Sequence, residues 1–180
     1  VIYGMAAMIG LMISQDGRRS LEALKKVVRL RFPQVRQIQA KQLDAWLEDE
    51  KQDKPLLLDV RPHEEFAVSH LPGAIHVDPD ISTSEAMKVI GHSCRVVVYC
   101  SVGYRSSQLA SRLLESGVGD VVNLEGSIFA WANEGYQLEK EGYSVTKVHP
   151  HSRFAGRLLH QEVRGTVSYT HLRAHETRPN

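Results

Sequence analysis

Cys100 is followed by Ser101, Val102, Gly103 and Tyr104, and then by Arg105 and Ser106, a C-x4-R spacing. A cysteine does chemistry as its thiolate, whereas an ordinary thiol is mostly protonated at neutral pH. What this stretch supplies is a reason to ionise. Arg95-Val96-Val97-Val98-Tyr99 precedes it, a β-branched run that predicts a buried strand. Arg105 to Ser116 follows, with Leu109, Ala110, Leu113 and Leu114 on one helical face and Gly117 as its stop. Cys100 to Tyr104 is then a strand-to-helix loop. Such a turn presents unpaired amides and the positive end of a helix dipole. Successive amides there can form an anion nest. Arg105 adds a full charge, and Gly103 admits backbone angles that a Cβ resists. All of these favour thiolate over thiol, so the stretch predicts an activated nucleophile in an anion cradle.

The surrounding chain alternates strand and helix. Strands are expected at 35–38, 56–60, 75–77 and 121–124 besides 95–99. Helices are expected at 40–48, 63–69, 83–90 and 127–133 besides 105–116, with a turn at Leu71-Pro72-Gly73. Leu43, Trp46, Leu47 and Trp131 are read as core, and His70 as filling the turn before Gly73. The pattern predicts an α/β domain with a mostly parallel sheet, in which ligands collect at the carboxyl ends of the strands. Cys100 stands at such an end.

The chain of 180 residues suits one domain with extensions: a leader at 1–33, the domain at 34–142, an extension at 143–164 and a tail at 165–180. At 42% hydrophobic and 24% charged it can build a core. A net charge of +1 argues against nucleic acid as a partner. Two cysteines make no disulfide framework, and Cys94 with Cys100 lacks a zinc spacing, so no metal or cofactor is expected. Cys94 is read as a packed or edge thiol. A reduced, cytoplasmic setting is the simplest reading.

Val1 to Ile13 is an uncharged run, too short to span a bilayer; it reads as a flanking helix, a loose end, or the remnant of a targeting or membrane-facing segment. Between Asp16 and Arg36 stand seven basic residues against two acidic ones. Leu21, Leu24, Val28 and Arg31 fall at helical spacing there, a short basic amphipathic helix that is either a solvated face or a contact for an acidic membrane surface. The tail GTVSYTHLRAHETRPN has no apolar period and is read as non-native or disordered; His171 and His175 share an i, i+4 spacing but lack a third ligand. His149-Pro150-His151 lies past the main domain, in a segment that packs back on it or meets a partner.

The residues resemble a family. Cys100 to Ser106 resembles the active-site loop of rhodanese-like sulfurtransferases. Asp59-Val60-Arg61 with Glu64-Glu65-Phe66 resembles its DVR-x-x-x-EF segment, and His70-Leu71-Pro72-Gly73-Ala74 its H-[IL]-PGA turn. Leu124-Glu125-Gly126-Ser127 with Trp131 resembles its L-x-GG-x-x-x-W segment, with Ser127 in place of the second glycine. Ser69 also stands where glycine is common. The motifs run in order from about 35 to 142 and imply a three-layer fold, a mostly parallel sheet flanked by helices.

The resemblance implies that Cys100 takes the outer sulfur of thiosulfate or a related small anionic donor as a persulfide. A thiol, cyanide or protein acceptor then removes it. The amides from Ser101 to Ser106 would cradle the charged sulfur, Arg105 would orient the donor, and Asp59 and Arg61 would brace the loop from beneath. The alternatives are a sulfur-relay or regulatory module with weak turnover, and a phosphatase or arsenate reductase of the same fold. The latter resemble this domain but use C-x5-R, a wider cradle than the C-x4-R present here.

Overall fold

The structure is a computed structural model that describes residues 16–92 and 95–166. Cys94, the apolar run 1–13, and His171 and His175 lie outside the described residues.

Five short strands form one sheet. They are β1 (Arg36–Ile38), β2 (Leu56–Asp59), β3 (Ile75–His76), β4 (Val96–Tyr99) and β5 (Val121–Leu124), in the order β1-β5-β4-β2-β3. Every pairing in it is parallel. This is the α/β architecture expected from the alternating pattern. Successive strand residues face opposite sides. Leu57, Val97, Tyr99, Val122 and Leu124 therefore enter one core, and Leu58, Val96, Val98 and Val121 the other. Strand β4 sits at the centre and is buried along its whole length, which is why it reads as an unbroken apolar run.

The helices cover both faces. Helix α2 (Ala40–Glu48) and helix α6 (Ser127–Asn133) pack on the first core; α4 (Thr83–Ile90) and α5 (Tyr104–Glu115) pack on the second. Helix α1 (Gly17–Arg31) starts at Asp16, whose carboxylate accepts the Arg18 and Arg19 amides. Its Leu21 and Leu24 enter one core and Val28 the other, so the apolar stripe of this basic helix packs inside the fold. Arg31 is exposed and Phe32 takes the next inward position. Part of the basic excess is also used internally: Arg29 bonds the buried Glu125, and Lys25 packs against Gly126. Among the described residues, no helix is long and apolar enough to cross a membrane.

Three other expectations need correction. The helix expected over 63–69 is α3, only His63–Phe66. It stops because His70 exchanges both backbone hydrogen bonds with Glu139 and the Ser69 carbonyl is taken by Arg61. Trp46 is half-buried rather than core; Arg95 stacks over its ring at 4.3 Å. A hairpin that was not foreseen, β6 (Leu138–Lys140) with β7 (Tyr143–Val145), closes the domain.

The segment after β7 packs back on the domain. Ala155, Leu158 and Leu159 are buried in the core that holds Leu21, Leu24 and Trp131. Burying each leucine contributes about 1.5–3 kcal/mol. Asn133 of α6 bonds the Leu158 carbonyl and accepts the His160 amide, both at 2.8 Å. Val148 ties the segment to itself through Val163 and Gly165, also at 2.8 Å.

Candidate active site

Strand β2 leads outward to β3 at one edge of the sheet, whereas β4 leads through β5 towards the other. The carboxyl ends of β2 and β4 thus flank the point where the strand order reverses, the place where open α/β sheets bind ligands. Cys100 follows β4 there, and α3, carrying Glu65, follows β2.

The loop from Cys100 folds its donors back on its own sulfur. The Gly103 amide points at Cys100 Sγ from 3.2 Å, and the Ser106 hydroxyl from 3.5 Å. Gly103 has φ +105°, and a Cβ there would stand 3.1 Å from the Asn123 side-chain nitrogen. A side chain would therefore meet both a strained backbone and a crowded neighbour. Burial alone pushes the Cys100 thiol up. The Arg105 charge, the Ser106 hydroxyl and amide, and the Gly103 amide outweigh it, and the net pKa lies below the ordinary thiol value. The residues thus supply a nucleophile that is almost fully buried yet biased towards its thiolate; Cys100 is 1% exposed.

The other loop residues have distinct places. Val102 is buried in the first core. Tyr104 packs edge-on against Phe32. Ser101 and Arg105 turn towards Glu65: the Ser101 hydroxyl donates to one carboxylate oxygen at 3.0 Å and accepts from Arg105 at 3.1 Å. Arg105 lies 3.8 Å from the other oxygen. Burial pushes the Glu65 carboxyl up, but His151, Arg105 and Arg61 together hold it below the usual carboxylate range.

Asp59 and Arg61 are fully buried and joined by a forked ion pair, the shortest arm 2.6 Å. They meet Tyr99, the residue before the loop, with the Arg61 guanidinium over its ring at 6.0 Å. Arg61 Nη2 also donates to the Ser69 carbonyl, and the Arg61 carbonyl meets His76. Among the described hydrogen bonds, none joins either side chain to residues 100–106. Their effect is to fix the chain after β2, and Glu65 is the residue that reaches the loop.

Three residues at the site escaped the sequence reading. Glu65 lay inside a quoted motif but carried no assigned role. Ser127, at φ +51°, accepts the Cys100 amide at 3.1 Å and donates to the Leu124 carbonyl at 3.2 Å. The departure from glycine therefore adds a hydrogen bond to the cysteine's own backbone. The third is His151, which bonds Glu65 at 2.7 Å from 86 residues away. His151 and Ala155 close a cavity whose other walls are Cys100, Ser101, Val102, Tyr104 and Arg105. Its volume is about 10 Å³, room for one water-sized group. Among the described residues, no His, Cys, Asp and Glu cluster fits a metal ion.

Comparison with known proteins shows the family and the fold. The family model for the rhodanese-like domain matches residues 39–134. A sulfurtransferase of Allochromatium vinosum is 36% identical over 83 residues, 46% of this chain and 77% of that protein. A probable adenylyltransferase/sulfurtransferase, MoeZ, of Mycobacterium tuberculosis is 31% identical over 98 residues, and there the match spans only 24% of the relative's length. The crystal structure of a rhodanese-related protein from Thermoplasma volcanium superposes with a TM-score of 0.50 at 25% identity, covering 59% of this chain and 99% of that one.

Proposed function

The chain belongs to the rhodanese-like domain family, and from that premise we propose that it is a sulfurtransferase working through a Cys100 persulfide. The observation that carries this reading is the Cys100 sulfur, buried in a C-x4-R turn with the Gly103 amide and the Ser106 hydroxyl aimed at it. Relatives named for sulfur transfer support the reaction class. The donor we propose is thiosulfate or a similar small anion. The thiolate attacks its outer sulfur, the sulfur–sulfur bond breaks, and the electron pair leaves with sulfite. Preorganised donors then hold the charge on the persulfide. A thiol, cyanide or protein acceptor attacks the outer sulfur, and the second electron pair returns to Cys100. This is covalent, two-stage catalysis.

The cavity favours a one-atom cargo. A volume of about 10 Å³ above Cys100 has room for the single sulfur atom of a loaded persulfide. The same small volume favours a second reading in the sulfur class, a relay module that accepts sulfur from a partner and turns over free thiosulfate slowly. The test is thiosulfate:cyanide turnover by the protein and its Cys100→Ser variant, with intact mass measured after thiosulfate alone. Turnover lost in the variant, together with one added sulfur on the parent, supports the enzyme. Equal background rates with sulfur still loaded support the relay. No sulfur gained refutes both.

A further inference from the structure

The extension after β7 lies beyond the residues matched by the family model, yet it supplies one wall of the cavity over Cys100. Its docking through Ala155, Leu158 and Leu159 makes that wall part of the core. His151 is held there in the left-handed region, φ +60°, with its amide donating to His149 Nδ1 at 3.1 Å. Strained backbone at a cavity edge persists only where neighbours hold it. Here the neighbour is Glu65, whose carboxylate meets His151 Nδ1 at 2.7 Å. An ionised carboxylate only accepts, so Nδ1 is the donor in this contact, and in the neutral imidazole Nε2 then keeps its lone pair. The side chain is 35% exposed and lines the cavity, so the imidazole meets both solvent and the space over Cys100.

We propose that His151 is the base that deprotonates a thiol acceptor as it enters to collect sulfur from Cys100. This rests on the sulfurtransferase reading and assigns its second half. The acceptor's S–H proton passes to His151 Nε2, and the resulting thiolate attacks the outer persulfide sulfur. The bond to Cys100 breaks with its electron pair returning to Cys100. His151 then releases its proton to the product persulfide or to water, and no oxidant or reductant is needed. Glu65 fixes the tautomer and orientation, as a carboxylate does for a catalytic histidine. The charged and titratable groups around the imidazole are Glu65 of α3, Arg105 of α5, the Cys100 thiolate after β4 and, two residues back, His149. Arg61 and Glu64 complete the surroundings of His149.

The test uses the full chain and His151→Asn, since asparagine tolerates the left-handed backbone. Each protein is loaded with thiosulfate, the added sulfur is confirmed by intact mass, and single-turnover transfer is followed to two small thiols. One is weakly acidic (2-mercaptoethanol); the other, an aromatic thiol, is already ionised at the assay pH. The Asn variant loses about tenfold or more with the first acceptor, the low end for general acid–base catalysis, and less than about twofold with the second. The parent's rate with 2-mercaptoethanol shows a rising pH limb, and that limb is absent from the variant. Equal losses with both thiols, or a limb that survives in the variant, overturn the assignment while leaving the persulfide intact. Failure of the parent to load sulfur overturns the sulfurtransferase reading, and the base with it.

Discussion

Replacing Ser106 by alanine should raise the Cys100 pKa by about one unit. The Ser106 hydroxyl donates to Sγ at 3.5 Å and is itself fully buried. A hydrogen bond to a charged group contributes about 1.5–3 kcal/mol. This one is long, so the lower end applies, and about 1.4 kcal/mol corresponds to one pKa unit. The Gly103 and Ser106 amides and the Arg105 charge remain, so the shift is partial. Below both pKa values the thiolate fraction, and with it the alkylation rate, falls about tenfold. The readout is thiolate ultraviolet absorbance against pH, with the Cys100→Ser protein subtracted to remove Cys94. Ser111→Ala on the same helix is the control, because its hydroxyl bonds Gln34 and Glu115 rather than the thiolate. Stability supplies an independent check of sign. The folded pKa of Cys100 is depressed, so its contribution is present above the unfolded pKa and is lost as pH falls through the folded one. The stability gap between parent and Ser106→Ala should therefore widen by about 1.4 kcal/mol on going from below the folded pKa to above the unfolded one, near pH 9. An unchanged titration midpoint would show that the hydroxyl does not stabilise the thiolate.

Asp59→Asn leaves the fully buried Arg61 charge without its partner and should cost about 3–5 kcal/mol in chemical denaturation. The Cys100 titration should hold, because neither residue bonds the loop. Leu158→Ala should cost about 2–5 kcal/mol by opening the core between α1 and the extension, and should speed proteolytic cleavage after residue 145 relative to the rest of the chain. Glu65 has a depressed pKa, set by burial against the stronger pull of His151, Arg105 and Arg61. Its contribution is present above the unfolded pKa and lost as pH falls through the folded one. Glu65→Gln should thus flatten the acid limb of stability below about pH 4.3, and an identical limb in both proteins would count against the pairing.

What the sequence showed clearly was local. Val96 to Tyr99 is apolar without interruption because β4 is flanked by strands and covered on both faces, and that run places Cys100 at a sheet end. The C-x4-R spacing and Gly103 are contiguous with it, so the cradle was legible too. The amphipathic period of α1 was equally plain, but its destination was not. Leu21, Leu24 and Val28 fit a membrane surface or a core equally well, and only the tertiary fold decides. The short α3 was missed for a related reason. Its end is set by Glu139, on a hairpin some 70 residues later, and no periodicity near His63 encodes that.

Glu65 shows why the site as a whole exceeds its motif. One carboxylate meets Ser101 from 36 residues away, Arg105 beside it, and His151 from 86 residues away. Each contact depends on a different element: the loop after β4, the first turn of α5, and the extension clamped between α1 and α6. A buried carboxylate must be compensated on every side, so these three partners are mutually constrained. Loss of Glu65 would remove the carboxylate that Ser101, Arg105 and His151 share, and the effects of Glu65 and His151 variants on sulfur transfer should not add. A double-mutant cycle between Glu65→Gln and His151→Asn, read in single-turnover transfer to 2-mercaptoethanol, should therefore show the double variant little slower than His151→Asn alone. Additive losses would mean that the carboxylate serves the donor half through Arg105 and leaves the imidazole to act unaided.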